Sequence, residues 1–184
     1  MKRLILVASG ICITSMSVPA ELTVGQSYRV NLVDVDGNSF STADSHITTL
    51  VLTTQSGVDK ARALGDRIPN FCLGNPTYRM ITVVVFGKNH SKPTRMLLSL
   101  LMRRRLDSEG HRLQNRYDQL KISRNARLDV SAVADFDGAI TTQLGSPPAA
   151  GLFHVFVFGR NGELVKQWDE VPSADELTAA LKQD

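Results

Sequence analysis

The sequence has few cysteines and few aromatic residues. Only two of its 184 residues are cysteine and 6% are aromatic, so a small scaffold held by disulfides is excluded. No segment beyond the first twenty residues has the roughly 20 apolar residues that a membrane-spanning helix needs. The remaining composition, 42% hydrophobic and 21% charged, is typical of one globular domain with a core large enough to be stable alone.

The N-terminus has the features of an export signal. Lys2 and Arg3 precede a short apolar stretch at residues 4–13, and residues 18–20 (VPA) supply the small residues that a signal peptidase requires. We therefore predict that residues 1–20 are a cleaved signal peptide, with an uncleaved membrane anchor as the alternative. The mature protein would then be periplasmic or secreted.

The predicted mature chain, residues 21–184, shows no repeat or linker and is interpreted as a single domain. It contains one cysteine, Cys72, which excludes an intramolecular disulfide. Free cysteine is among the most buried residue types, so a small buried side chain is one interpretation of Cys72. A reactive thiol or an intermolecular disulfide is the other.

Positive charge is concentrated in residues 88–127, which hold eleven Lys or Arg and three Asp or Glu. This asymmetry predicts one basic face that could bind a protein partner or an anionic surface, the alternative being a solvated helix face. Nucleic acid is not expected, because Tyr117 is the one aromatic residue in the segment. The arginines that would form the face are Arg103, Arg104, Arg105, Arg112 and Arg116.

Hydrophobic patterns in the first half predict strands and helices in alternation. Residues 28–34 alternate as a half-buried strand does, and residues 46–53 are rich in β-branched residues. Residues 57–70 place apolar side chains on one helical face. Residues 79–86 are almost continuously apolar, which predicts a strand buried on both faces of a parallel sheet.

Residues 93–120 predict one or two helices that Gly110 could divide. Four large apolar residues near the start of this segment are predicted to lie in the core: Met96, Leu97, Leu100 and Leu101.

The last third predicts three more strands or short elements and a final helix. Strands are expected at residues 128–134, 152–158 and 163–168, and a short strand or helix at 140–144. Ser173 and Glu176 form the capping-box pattern of the last helix. The complete order predicts an α/β sandwich around a mixed sheet.

Three turn motifs occur in order along the chain: residues 32–38 (LVDVDGN), 133–138 (VADFDG) and 156–162 (FVFGRNG). They resemble the turn motifs of the thioredoxin-like superfamily, in its branch of exported thioredoxins and alkyl hydroperoxide reductase relatives, although Gly159 replaces the usual acidic residue. The resemblance implies a thioredoxin-like sandwich, with a central mixed β-sheet flanked by helices and an N-terminal β-hairpin.

The same resemblance implies an active turn of the form A-T-W-C-x-x-C after the first core strand. Here Thr54 matches the entry, Gln55 the tryptophan, Ser56 the first cysteine and Asp59 the second. The chain therefore lacks the CxxC motif, and a serine hydroxyl cannot take part in thiol–disulfide exchange. The family also has a cis-proline beside this turn; counting back from Gly162 places Phe153 there. The prolines at 147–148 lie several residues earlier.

Other chemistry at these residues is less well supported. Ser56 has no glycine two residues before it, which argues against a hydrolase elbow. The pattern of Ser56 and Asp59 instead fits a helix cap, in which the serine hydroxyl accepts from the Asp59 amide. The two D-x-D-G sequences at 34–37 and 135–138 are interpreted as hairpin turns and not as calcium loops. No metal and no cofactor are predicted.

These observations predict an exported thioredoxin-like domain without redox-active cysteines, which works as a binding or accessory protein of the cell envelope. The alternative is an enzyme, a thiol oxidoreductase or peroxidase relative that uses Cys72.

Overall fold

The architecture is described from a computed structural model of the chain, for residues 21–87, 90–146 and 151–182. The predicted signal peptide, residues 1–20, and the proline pair at 147–148 lie outside these ranges. The strands are β1 (Asn31–Val33), β2 (Ser39–Ser41), β3 (Ile47–Thr54), β4 (Tyr78–Val85), β5 (Ser131–Asp135), β6 (Phe153–Phe158) and β7 (Leu164–Trp168). The helices are α1 (Val58–Arg67), α2 (Lys92–Gln119), α3 (Ala139–Gln143) and α4 (Ala174–Leu181).

A five-stranded mixed sheet forms the centre, in the order β5-β4-β3-β6-β7. The strands β3, β4 and β5 are parallel, whereas β6 and β7 run antiparallel to their neighbours. A separate antiparallel hairpin, β1–β2, precedes the sheet. The predicted α/β class with an N-terminal hairpin is confirmed.

The two faces of the sheet carry different layers. Because β3, β4 and β5 follow one another across the sheet, right-handed crossovers place α1 and α2 on the same face. On that face Val51 packs with residues of α1 and α4, and Ala132 packs with Leu106 of α2. On the other face Leu50 and its neighbours pack against the hairpin and α3. The sheet is therefore buried between two apolar layers, as in a three-layer sandwich.

The two D-x-D-G sequences have different structural roles. Asp34 accepts hydrogen bonds from the amides of Asp36 (2.9 Å) and Asn38 (2.8 Å) and closes the β1–β2 hairpin, as predicted. Asp135 instead accepts from the amides of Ala139 (3.1 Å) and Thr141 (3.0 Å), the first residues of α3. The hairpin prediction was therefore wrong for the second motif, because β5 is an edge strand whose successor in the chain is a helix.

Several element boundaries differ from the predicted ones. The first strand is only Asn31–Val33, because the amides of Tyr28 and Val30 donate to Gly162 O and Thr42 Oγ1 and not to a neighbouring strand. Helix α1 ends at Arg67 and not near residue 70, since Ile68 precedes a proline and takes an extended conformation with ψ 127°.

Helix α2 is one continuous helix of 28 residues, so Gly110 does not divide it. A Cβ atom at position 110 would lie 3.1 Å from the Cα of Arg127, in the short 3₁₀ turn Ala126–Asp129. Glycine therefore permits the close approach of this turn to α2. The capping box of α4 is confirmed, with Ser173 and Glu176 bonding each other's backbone amides.

The prediction that four apolar residues near the start of α2 lie in the core was wrong. Met96, Leu97, Leu100 and Leu101 are all solvent-exposed. The buried residues of α2 are Leu106, Gly110 and Tyr117, all in its second half. The helix meets the sheet there, and its first half extends past the packed layer.

Strand β4 is also less covered than predicted. Its alternate residues Met80 and Thr82 are only partly buried, whereas Ile81 and Val83 on the opposite face are completely buried. The reason is that α1 and α2 leave a groove between them over this strand.

Candidate functional site

The turn after β3 lies at the carboxyl edge of the parallel strands. A short 3₁₀ turn, Gln55–Gly57, runs directly into α1 at Val58. Gln55 and Ser56 are exposed, so the amide-bearing N-terminus of α1 is reachable from solvent. The candidate residues Thr54, Gln55, Ser56 and Asp59 therefore lie together at one surface turn.

Ser56 does not cap α1 as predicted. Its hydroxyl lies 2.9 Å from Thr54 Oγ1, and the N-cap of α1 is Gly57, which provides no side-chain bond. The Asp59 carboxylate instead faces the guanidinium groups of Arg62 (3.3 Å) and Arg105 (3.4 Å). The capping prediction was wrong because the 3₁₀ turn begins before the helix, so Ser56 already lies within a helical turn.

Gly57 fits the turn closely over β3. A Cβ atom at position 57 would lie 2.3 Å from Oγ1 of the buried Thr53, so a larger residue requires either the turn or the Thr53 side chain to shift. The neighbouring Thr54 amide donates to Leu152 O at 3.3 Å. A side-chain contact with β3 and a backbone hydrogen bond to the residue before β6 thus hold the turn.

Phe153, which the sequence resemblance aligned with the family's cis-proline, lies beside the turn and pairs in register with Thr53. Its ring is buried and belongs to the core shared with α1 and α4, and the Lys60 Nζ atom lies 5.4 Å from the ring centre. None of the described peptide bonds is cis. The side chain of Phe153 therefore packs into the interior and offers no surface to a ligand at the turn.

Cys72 lies in the 3₁₀ turn Asn70–Cys72 beyond the end of α1 and is buried. It packs in the same core as Leu64 and Ile68. Burial raises the pKa of the Cys72 thiol to about 12, because a thiolate would lose its hydration there. At neutral pH the side chain is a protonated thiol, which is a poor nucleophile.

The predicted basic residues of α2 mostly bind acidic or carbonyl groups of other elements. Arg112 bonds Asp66 of α1 at 2.8 Å, and Arg116 bonds Ile68 O at 2.8 Å. Arg103 lies 3.6 Å from Asp36 of the hairpin turn. The Arg104 side chain is exposed and makes no hydrogen bond or ion pair with another described residue. Most of the positive charge is therefore used to hold α2 against its neighbours.

A groove of about 500 Å³ lies between α1 and α2, with β4 as its floor. It extends from Gln55 at the turn to Cys72 and Tyr117 at the other end, and its lining is mainly apolar. Glu109 lies at its side and binds both Arg62 and Arg112. Burial alone would raise the pKa of Glu109, but the Arg62 hydrogen bond and the two guanidinium charges lower it overall.

Sequence reasoning did not identify this groove. Its lining residues come from β3, β4, β5, α1, α2, α4 and the turns between them, which are far apart in the chain. Thr82 on its floor looks like an ordinary strand residue. The incomplete burial of Met80 and Thr82 is visible only once the helices are placed.

Among the described residues there is neither a metal-binding cluster nor a membrane-spanning helix. No group of three or more His, Cys, Asp or Glu side chains within these ranges is arranged to hold a metal ion. None of the described helices combines the length and the hydropathy that crossing a bilayer requires.

No family model matches the chain, and no curated protein is similar to it in sequence. Solved structures are similar in fold. A protein of Aquifex aeolicus assigned to electron transport aligns over 87% of this chain and 97% of its own, with a TM-score of 0.55 and 15% identity. A protein of Bacteroides thetaiotaomicron assigned as a disulfide isomerase aligns over 91% of both chains, with a TM-score of 0.53 and 14% identity.

The exposed lipoprotein thioredoxin of Streptococcus pneumoniae aligns over 85% of this chain and 99% of its own, with a TM-score of 0.51 and 15% identity. At this level of identity the likeness concerns the fold. Together with the strand order and the N-terminal hairpin, it identifies the structure of this chain as a thioredoxin-like fold.

Proposed function

We propose that this protein is an exported thioredoxin-like domain that acts by binding and not by thiol–disulfide exchange. The observation that carries the proposal is the composition of the turn. Ser56 and Asp59 occupy the positions of the two cysteines, and the thiol of Cys72 is buried in the core behind α1. An exchange reaction needs one thiolate to attack and a second thiol to resolve the mixed disulfide, and the turn supplies neither.

A role in the cell envelope is consistent with the predicted signal peptide and with the export of a relative. The pneumococcal protein of the same fold is an exposed lipoprotein. The accessory role of this chain would then be to hold a ligand or partner outside the cytoplasm.

The redox part of the proposal is tested by insulin reduction and by peroxide turnover. Wild type and Cys72→Ala should both be inactive. The double variant S56C/D59C, which places two thiols at the turn, should reduce insulin and serves as the positive control for the assay. Turnover by the wild type that disappears in Cys72→Ala would overturn the proposal and establish the alternative, a one-cysteine thiol enzyme.

The groove between α1 and α2 is the surface that best suits a binding role. Its volume of about 500 Å³ lies within the roughly 300–1,000 Å³ of small-molecule sites, which are also mainly apolar. A side chain at Gly65 would point at Met80 on the groove floor, since a Cβ atom there would lie 3.9 Å from the Met80 sulfur.

Filling the groove tests this assignment. The variant Gly65→Leu should abolish the saturable fluorescence of the apolar probe anilinonaphthalene sulfonate. The control Gly87→Leu places the same side chain where a Cβ atom meets no neighbour within 4 Å, and it should leave the signal unchanged. Equal probe binding by Gly65→Leu and wild type would exclude the groove as the site.

A further inference from the structure

The outer surface of the first half of α2 is apolar and exposed. Met96, Leu97, Leu100 and Leu101 are 75%, 56%, 44% and 49% exposed. We refer to these four residues as the α2 patch. Helical spacing places them on adjacent turns of one face, opposite the face that carries the buried Leu106 and Tyr117. Contiguous apolar surface of this kind marks an interaction site in soluble proteins.

Basic residues surround the α2 patch. Residues 92–106 contain five Lys or Arg and no Asp or Glu, and of these Arg95 and Arg103 bind Asp137 and Val35 O. Arg104 follows the patch by one turn on the same face and has no ion-pair partner among the described residues. Lys92 is exposed at the other end, and the Arg105 guanidinium is about half exposed, with Asp59 at 3.4 Å as its partner.

We propose that the α2 patch binds the surface of an anionic lipid bilayer, with the four apolar side chains inserted among the acyl chains and the surrounding basic side chains at the lipid head groups. An interfacial helix combines an apolar face with Lys and Arg in this way. The long arginine side chains can extend to the phosphate level while their stems stay in apolar surroundings.

Charge and shape favour a lipid surface over a protein partner. A second copy of this chain would place basic side chains against basic side chains in any two-fold pairing of the segment, because the segment has no acidic residue. The patch has no aromatic residue, whereas the energetic centres of protein interfaces are rich in Tyr and Trp. A fluid bilayer needs no complementary pocket to receive the convex face of a helix.

This inference does not depend on the proposed function, because Met96, Leu97, Leu100 and Arg104 are not among the residues that line the groove. Leu101 borders both surfaces, so it is left unchanged in the variants below. Failure of either proposal therefore leaves the other intact.

Vesicle co-sedimentation tests the inference. The chain from Glu21 onward contains every helix and strand described above and lacks the apolar residues 1–20. With vesicles of equal parts phosphatidylglycerol and phosphatidylcholine, it should bind, and binding should weaken as salt increases. The double variant L97S/L100S should weaken binding by about tenfold or more, since each leucine contributes the free energy of transferring its side chain from water to the acyl chains. R104E should weaken it by about 25-fold, because each unit of charge near an anionic surface contributes roughly fivefold and the substitution changes the charge by two units.

Matched control variants make the same kinds of substitution, of exposed leucines and of an exposed basic residue, outside the α2 patch. The variant L120S/L128S replaces two other exposed leucines, and K166E reverses an exposed charge on β7. Both should bind as wild type does, and circular dichroism should show all variants to be folded. The inference is overturned if the wild type does not sediment with the vesicles or if L97S/L100S binds them equally. It is also overturned if sedimentation equilibrium shows a dimer that L97S/L100S abolishes, since a second copy would then cover the patch.

Discussion

The two halves of helix α2 have opposite relations to the rest of the protein. Residues 92–104 are rich in leucine and methionine, yet they contribute no buried side chain. Residues 105–119 are rich in charged residues, yet they contain all three buried residues of the helix and most of its cross-links to other elements. In this helix, position relative to the sheet decides burial, and local hydrophobicity does not.

The second half docks through specific contacts. The Tyr117 hydroxyl donates to Asp129 at 2.8 Å and accepts from the Gly74 amide at 2.9 Å, while its ring is buried. Gly110 allows the approach of the 3₁₀ turn that contains Arg127. Arg62 of α1 binds Glu109, so a buried aromatic ring, a close backbone contact and an ion pair all hold this half.

The largest effect should come from Tyr117→Ala. We expect a loss of about 3–5 kcal/mol in the free energy of unfolding, the range for truncating a large aromatic core residue. Denaturant titration measures it. Tyr117→Phe, which keeps the ring and removes both hydrogen bonds, should cost only about 1–3 kcal/mol. Equal effects of the two substitutions would mean that the ring itself contributes little.

A matched pair of leucines compares the two halves directly. Leu106→Ala should lower the free energy of unfolding by about 2–3 kcal/mol, because Leu106 packs on Ala132 of the sheet. Leu100→Ala should change it by no more than about 0.5 kcal/mol, as expected of an exposed site. The same denaturant titration applies, and similar losses at both positions would contradict the difference between the halves.

Substitutions at two helical glycines test the close contact between Gly110 and Arg127. Gly110→Leu should destabilise the protein by about 1–3 kcal/mol, since the new side chain meets the backbone of Arg127. Gly65→Ala in α1 should instead stabilise it by about 0.5–1 kcal/mol, because helix propensity improves and the nearest atom lies 3.9 Å away. Thermal unfolding measures both signs. Stabilisation by Gly110→Leu would rule out the contact.

A smaller, pH-dependent effect should arise from Glu109. Its pKa is lowered in the folded protein, so its contribution to stability is present above the unfolded pKa and is lost as the pH falls through and below that value. Unfolding measured between about pH 6 and pH 3 should therefore show less acid sensitivity in Glu109→Gln than in wild type. An unchanged pH profile would show that the pair with Arg62 contributes nothing.

The smallest effect on stability should come from the first half of α2. L97S/L100S should unfold within about 0.5 kcal/mol of wild type in the absence of vesicles, because neither side chain is buried. A larger loss would show that these leucines take part in folding contacts.

Much of the fold could be predicted from local patterns. A β-branched run predicted β3 and an apolar run predicted β6, each within a residue or two, and the spacing of Ser173 and Glu176 predicted the start of α4. The turn between β3 and α1 could also be located, because a strand pattern is followed there directly by a helical pattern. These features depend on residues that are neighbours in the chain.

The sequence by itself determined the order of elements, the missing cysteines at the turn and the single cysteine of residues 21–184. Tertiary structure decided which apolar residues are buried, which arginines are paired and that a groove lies between α1 and α2. The physical reason is that hydrophobic periodicity shows which side chains share one face of an element. Whether that face is buried depends on which other element packs against it. For α2, one end meets the sheet and the other extends beyond it.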